Sequence, residues 1–283
     1  MKLVYKTFLA LLVHIFFLKS AIAANYPDYI FLEEYILPAE LKETSALFCS
    51  KNETAFTLND SGNEPVIFEI DSKANIVDKR LLNVKNRDWE AITGDGTHLY
   101  IGDIGNNSGN RKTLNVQRIL ESGAIHKPST TSFTYLDNPI DENKYLNHDY
   151  DAEALVNVNE FLYLFSKSWD TGTLFIYRLN KVNSKQSIKP IAEVNGLPGV
   201  ITGGDYDFQN KRFVLVGYKV WGIGFFSPFI AILDEQLNLM KFFDLEGYGQ
   251  VEGICVSPKS EVWFTQESSF FSKNKLVKIK IID

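Results

Sequence analysis

Short apolar runs alternate with polar, turn-forming clusters along almost the whole chain, and helical periodicity is nearly absent. The runs at 55–58, 66–70, 98–101, 161–165, 174–179, 213–216, 229–233, 262–265 and 276–282 have strand length and are rich in β-branched and aromatic residues. Between them lie clusters such as Asn59-Asp60-Ser61-Gly62-Asn63, Gly105-Asn106-Asn107-Ser108-Gly109-Asn110 and Ser168-Trp169-Asp170-Thr171-Gly172. Strand runs so punctuated predict an all-β sandwich, barrel or propeller.

An internal repeat selects among these. Glu90-Ala91-Ile92 returns as Glu153-Ala154-Leu155 and Glu252-Gly253-Ile254, each a carboxylate, a tiny residue and a branched aliphatic. Ser45-Ala46-Leu47 and Thr202-Gly203-Gly204 are weaker copies with a hydroxyl in place of the carboxylate, and successive gaps are 45, 63, 49 and 50 residues. In the second half, 161–169 aligns without a gap on 213–221, each following a triplet and preceding another apolar strand. A period of about 45–50 residues with four strands per unit predicts a β-propeller blade. Five triplets predict five four-stranded antiparallel blades, with the triplet opening each inner strand. Only 31 residues follow Glu252, enough for three strands, so 29–37 is expected to pair with the last blade and close the ring. The 63-residue unit has room for an insertion at 137–149.

Two further features set the class. Residues 1–23 combine Lys2 and Lys6, an apolar run at 7–18 and Ala21-Ile22-Ala23, the pattern of a cleaved signal peptide; 24–283 then form a single propeller domain. The apolar run is too short to span a bilayer, and no later segment is long enough. The expected location is therefore secreted or periplasmic. The full chain has 29 basic and 35 acidic residues, and loss of 1–23 removes three lysines and no acid, leaving a net charge of −9. Such a charge disfavours nucleic acid as a partner and suits a bound cation. Cys49 and Cys255 fall in neighbouring units of the closed ring, on opposite faces of their strands, so they either face each other or both face away.

The triplets then become the candidate site. Glu90, Glu153 and Glu252 converge at one mouth of the central channel as candidate metal ligands. Asp88, Asp149, Asp151 and Asp205 flank them in sequence, and the following strands end in Asn59-Asp60, Asp103 with Asn106, Lys167 and Glu267. Lys219 aligns with Lys167. Asn59, Asp60, Asp103, Asn106, Lys167, Lys219 and Glu267 are thus candidate ligand-binding residues. Crowded carboxylates repel one another unless a cation or ion pairs neutralise them. Oxygen ligands without a His/Cys cluster suit Ca²⁺ or Mg²⁺ and speak against zinc, copper or iron. The tiny residue is expected to let blades crowd at the axis.

The ordered series Asn59-Asp60-Ser61-Gly62-Asn63, Asp88-Trp89-Glu90-Ala91-Ile92, Tyr100-Ile101-Gly102-Asp103-Ile104-Gly105-Asn106-Asn107, Asp151-Ala152-Glu153-Ala154-Leu155, Thr202-Gly203-Gly204-Asp205 and Val251-Glu252-Gly253-Ile254 resembles exported bacterial β-propeller proteins of largely unassigned function. That group is similar to the SdiA-regulated and esterase-like phytase propellers. The resemblance implies a Ca²⁺ site at the channel mouth, with Glu90, Glu153 and Glu252 as ligands and Asp60, Asp103 and Glu267 as ligands or bases. Ser45, Thr202, Lys167 and Lys219 depart from that pattern. Three readings follow: binding of a divalent cation and a small polar ligand, Ca²⁺-dependent hydrolysis of a lactone, ester or phosphoester, or a protein-interaction platform presenting the apolar loop 222–229.

Overall fold

The computed structural model describes residues 27–123, 128–222, 224–268 and 272–282. The expected signal peptide lies outside the described residues. In chain order, β1 (Tyr29–Ile36) precedes the first blade, which is β2 (Thr44–Cys49), β3 (Ala55–Asn59), β4 (Val66–Ile70) and β5 (Ile76–Leu81). The second blade is β6 (Trp89–Gly94), β7 (His98–Asp103), β8 (Leu114–Leu120) and β9 (Ser129–Tyr135). The third runs through β10 (Ala152–Val158), β11 (Phe161–Ser166) and β12 (Leu174–Asn180), then β13 (Lys185–Ile188) and β14 (Ala192–Val194). The fourth is β15 (Val200–Asp207), β16 (Arg212–Val220), β17 (Phe226–Leu233) and β18 (Leu239–Asp244). The last comprises β19 (Val251–Val256), β20 (Val262–Gln266) and β21 (Lys275–Ile281).

These strands form a five-bladed β-propeller, with β2, β6, β10, β15 and β19 innermost. β1 pairs antiparallel with β21 as the outermost strand of the last blade, so the ring closes by joining the two ends of the domain. A disulfide between Cys49 on β2 and Cys255 on β19 crosses the same seam at the inner strands, with a Cα–Cα distance of 5.4 Å. One sheet departs from four strands: β13 leaves the third blade and adds to β9 in parallel. There it covers an open edge that would otherwise expose unpaired N–H and C=O groups. The expected insertion is the long connection between β9 and β10, tied by a Lys144–Asn147 bridge.

The core lies between blades rather than within them. Each of five apolar clusters joins two consecutive blades, including the closing pair of last and first. The triplet explains how. In a strand, successive side chains point to opposite faces. Ala46, Ala91 and Ala154 pack toward the following blade, whereas Leu47, Ile92, Leu155 and Ile254 pack toward the preceding one. The small side chain is a steric requirement at the two glycines: a Cβ on Gly203 would lie 2.4 Å from the Glu252 carbonyl, and one on Gly253 2.8 Å from the backbone of Ala46. Burial falls off outward, from the fully buried β6 to the largely exposed β1 and β5.

Candidate functional site

The first residue of every triplet sits on a β-bulge. The ladder between first and second strands skips Ser45, Glu90, Glu153, Thr202 and Glu252 in the five blades respectively. A bulge leaves its extra residue unpaired and re-aims its side chain. Residue type then decides what the re-aimed group does. Ser45 and Thr202 donate hydroxyl hydrogen bonds to the carbonyls of Trp89 and Val251, the residues just before the next blade's triplet. An ionised carboxylate has no proton to donate there, and the three glutamates instead gather, buried, about the axis. The triplets together close the axis to a cavity of about 10 Å³, marginal for one water molecule.

Glu153 is neutralised in place. Lys167, itself buried, donates to Glu153 Oε1 at 2.5 Å, and its ammonium lies over the rings of Trp169 and Tyr218 at 5.2 and 5.4 Å. Burial opposes the ammonium charge, but Glu153 foremost, with Tyr218 and Glu252, outweighs it and raises the Lys167 pKa. Glu252 accepts hydrogen bonds on Oε1 from Tyr218 Oη at 3.2 Å and Gln250 Nε2 at 2.7 Å. Asp103 is paired with Arg111 at 2.6 Å. Asn106 serves the scaffold: its N–H donates to Asp151 at 2.6 Å, its amide to Tyr150, and its side-chain oxygen accepts from Arg111 N–H.

Asp60, Asp88 and Glu90 remain as the group with unbalanced charge. Their carboxylate oxygens lie within 4.8 Å of one another; Arg111, 4.0 Å from Asp88, is committed to Asp103, and Lys167, whose charge acts on Asp60 and Glu90, is committed to Glu153. Gly105 lies against this group so closely that a Cβ would come within 2.5 Å of Asp88 Oδ2 and Glu90 Oε1. Burial, then the charge of Asp60, lifts the Asp88 pKa to about 6. Burial, then Glu153, Asp60 and Asp88, raises the Glu90 pKa well above the usual range against the lowering charge of Lys167. Glu267 is pushed to about 9 by burial and by Glu252. Asn59 gives its amide to the Glu40 carbonyl while its buried Oδ1 has no hydrogen-bond partner.

Some sequence candidates lie elsewhere. Lys219 is exposed and stacks 3.8 Å from the Trp221 ring, in a β16 that continues through Val220, whereas β11 stops at Ser166 before Lys167. Asp149 accepts from the N–H groups of Asp170 and Thr171 at the surface. Asp205, near the far end of β15, faces the opposite mouth. Of the expected apolar loop 222–229, Phe225 is exposed, residues from Phe226 on belong to β17 with Phe229 buried, and Ile223 is outside the described residues. Conversely, Asp88, Asp151 and Gln250 occupy one repeated position, two residues before a triplet glutamate. That period-two spacing was a usable signal for them.

No protein-family model matches this chain, and no curated protein does. Among solved structures, the chain is similar to a streptogramin B lyase at 10% identity and a TM-score of 0.46, covering 90% of this chain and 98% of that one. It is also similar to the hydrazine synthase of Kuenenia stuttgartiensis at 11% identity and a TM-score of 0.44, covering 82% of this chain. The match spans 58% of the hydrazine synthase chain's length. Both are propeller-type neighbours. Likeness at this level concerns architecture alone and assigns no chemistry.

Proposed function

We propose that the protein is an exported propeller whose acidic mouth binds a divalent cation of the Ca²⁺ class and, through it, a small polar ligand. Export is supported by the pattern of residues 1–23. The observation that carries the cation is the convergence of Asp60, Asp88 and Glu90 within 4.8 Å, beside an Arg111 and a Lys167 already paired with Asp103 and Glu153, and with a glycine backbone pressed against two of the carboxylates. These are hard oxygen donors, and backbone carbonyls or water would complete the six to eight ligands that Ca²⁺ takes. Glu153, already paired with Lys167, and Glu252, already hydrogen-bonded, would shape the site from behind rather than hold the ion.

Calorimetric titration of the mature protein with Ca²⁺ and Mg²⁺ tests this, run in buffers of different protonation enthalpy. Binding should release protons, because Asp88 and Glu90 must ionise to coordinate. Absence of both binding heat and a cation-dependent rise in unfolding temperature would sink the proposal.

One observation favours a hydrolytic use of the same mouth. Glu267 keeps its proton to about pH 9 and lies close enough for the charges of Glu252 and Asp60 to act on it, so it could donate to a leaving group near neutral pH. Turnover of lactone, aryl ester and phosphoester substrates that is lost in Glu267→Gln, with Ca²⁺ binding retained, would establish this second reading. No turnover on the whole panel would leave binding alone.

A further inference from the structure

The five inner strands end, on the face opposite the acidic mouth, in a second cavity of about 500 Å³. The closed axis at the triplets separates the two. This volume falls in the range of small-molecule sites, whereas the acidic mouth is built for an ion. One wall is aromatic: Phe48, Tyr206 and Phe208 line it, with Tyr206 and Phe208 edge to face at 4.9 Å and Phe208 61% exposed. Another wall carries Asp95, Asp205 and Glu121, and Lys51 is the one basic residue among the described lining residues.

The hydrogen bonds already made discriminate among these acids. Asp95 accepts from the N–H groups of Thr97 and His98 and from Tyr100 Oη. Asp205 accepts from the N–H groups of Tyr206 and Val256. Glu121 instead has Oε2 buried without a hydrogen-bond partner, and Asn157 at the same cavity leaves its buried Oδ1 unpartnered. The cavity therefore has acceptors lacking donors, more lining carboxyl groups than lining ammonium groups, and aromatic faces. An anionic ligand would meet carboxylate repulsion, and a purely apolar one would leave the acceptors unsatisfied. An ammonium group satisfies the acceptors, and its apolar body covers the aromatic wall with added cation–π attraction.

We infer that this vestibule is a second ligand site, specific for a small amphipathic amine, distinct from the cation-binding mouth. The test is calorimetric titration of the full mature protein with 2-phenylethylammonium and benzylammonium, against 3-phenylpropionate as the anionic counterpart. Wild type is compared with Glu121→Gln, Phe208→Ala and, to report on the other mouth, Asp88→Asn. Both ammonium probes should bind, and Glu121→Gln and Phe208→Ala should each weaken them by about fivefold or more. Asp88→Asn should leave their affinity unchanged, and phenylpropionate should bind at least about tenfold more weakly. Should Glu121→Gln fail to fold, Phe208→Ala alters only an exposed side chain and carries the test. No saturable binding below ~10 mM, equal binding of phenylpropionate, or loss of binding in Asp88→Asn with retention in Phe208→Ala would overturn the inference.

Discussion

Asp88→Asn should change sign in its effect on stability when a divalent cation is supplied. The unfolded chain releases the Asp88 proton near its ordinary 3.8, and the folded protein holds it to about 6. Between those values the folded state binds more protons than the unfolded one, so stability falls as pH rises through that window. At the full ~1.4 kcal/mol per pH unit, the cost at pH 8 would be ~3 kcal/mol. Partial exposure of the side chain and solvent screening reduce it to ~1 kcal/mol. The 4.0 Å approach of Arg111 is a small loss, since that guanidinium keeps Asp103 at 2.6 Å. In EDTA at pH 8, the variant should therefore unfold ~2–4 °C above wild type, and the gain should vanish at pH 4. With Ca²⁺ at about 100 times its Kd, wild type gains ~2.7 kcal/mol, or ~5–10 °C, and the variant does not. The assay is differential scanning calorimetry at pH 4 and pH 8, with EDTA and with Ca²⁺. A variant less stable than wild type in EDTA at pH 8, or equally responsive to Ca²⁺, would refute the reasoning.

Three other outcomes follow from the same contacts. Reduction of Cys49–Cys255, which spans 206 positions of sequence, should lower stability by ~3–5 kcal/mol; an unchanged urea midpoint would mean that β1–β21 pairing alone holds the seam. Lys167→Met leaves Glu153 buried and unpaired and should cost ~3–5 kcal/mol in urea unfolding, with Lys167→Met/Glu153→Gln recovering at least about half. A double variant no more stable than the single would show that stranded charge is not the cause. Gly105→Ala drives a methyl against Asp88 and Glu90 and should weaken Ca²⁺ binding by about tenfold or more; wild-type affinity in a calcium titration would count against the site.

The blade count, the closure and the strand runs were legible because they rest on composition at fixed spacing. Apolar runs at 66–70, 213–216 and 262–265 become β4, β16 and β20 because those strands are buried among neighbouring blades. The outer strands β5, β9 and β18 left no comparable signal. They are edge or near-edge strands with few buried side chains, so backbone pairing rather than apolar burial places them. The parallel addition of β13 was equally invisible, because it depends on where a free edge of another blade lies.

The site divides in the same way. The chain by itself determined that Glu90, Glu153 and Glu252 share one ring position, because a repeat places equivalent residues at equivalent points. It also determined that tiny residues must follow them, because blades meet at the axis. The tertiary structure decided that these three carboxylates are not equivalent. Lys167 reaches Glu153, Tyr218 and Gln250 reach Glu252, and Glu90 is left with Asp60 and Asp88. It also joined Cys49 to Cys255 and sent Lys219 out to Trp221. The physical reason is range. Strand periodicity is a local property of the backbone, whereas the charge state of a buried acid depends on which donors and cations other blades bring within a few ångströms.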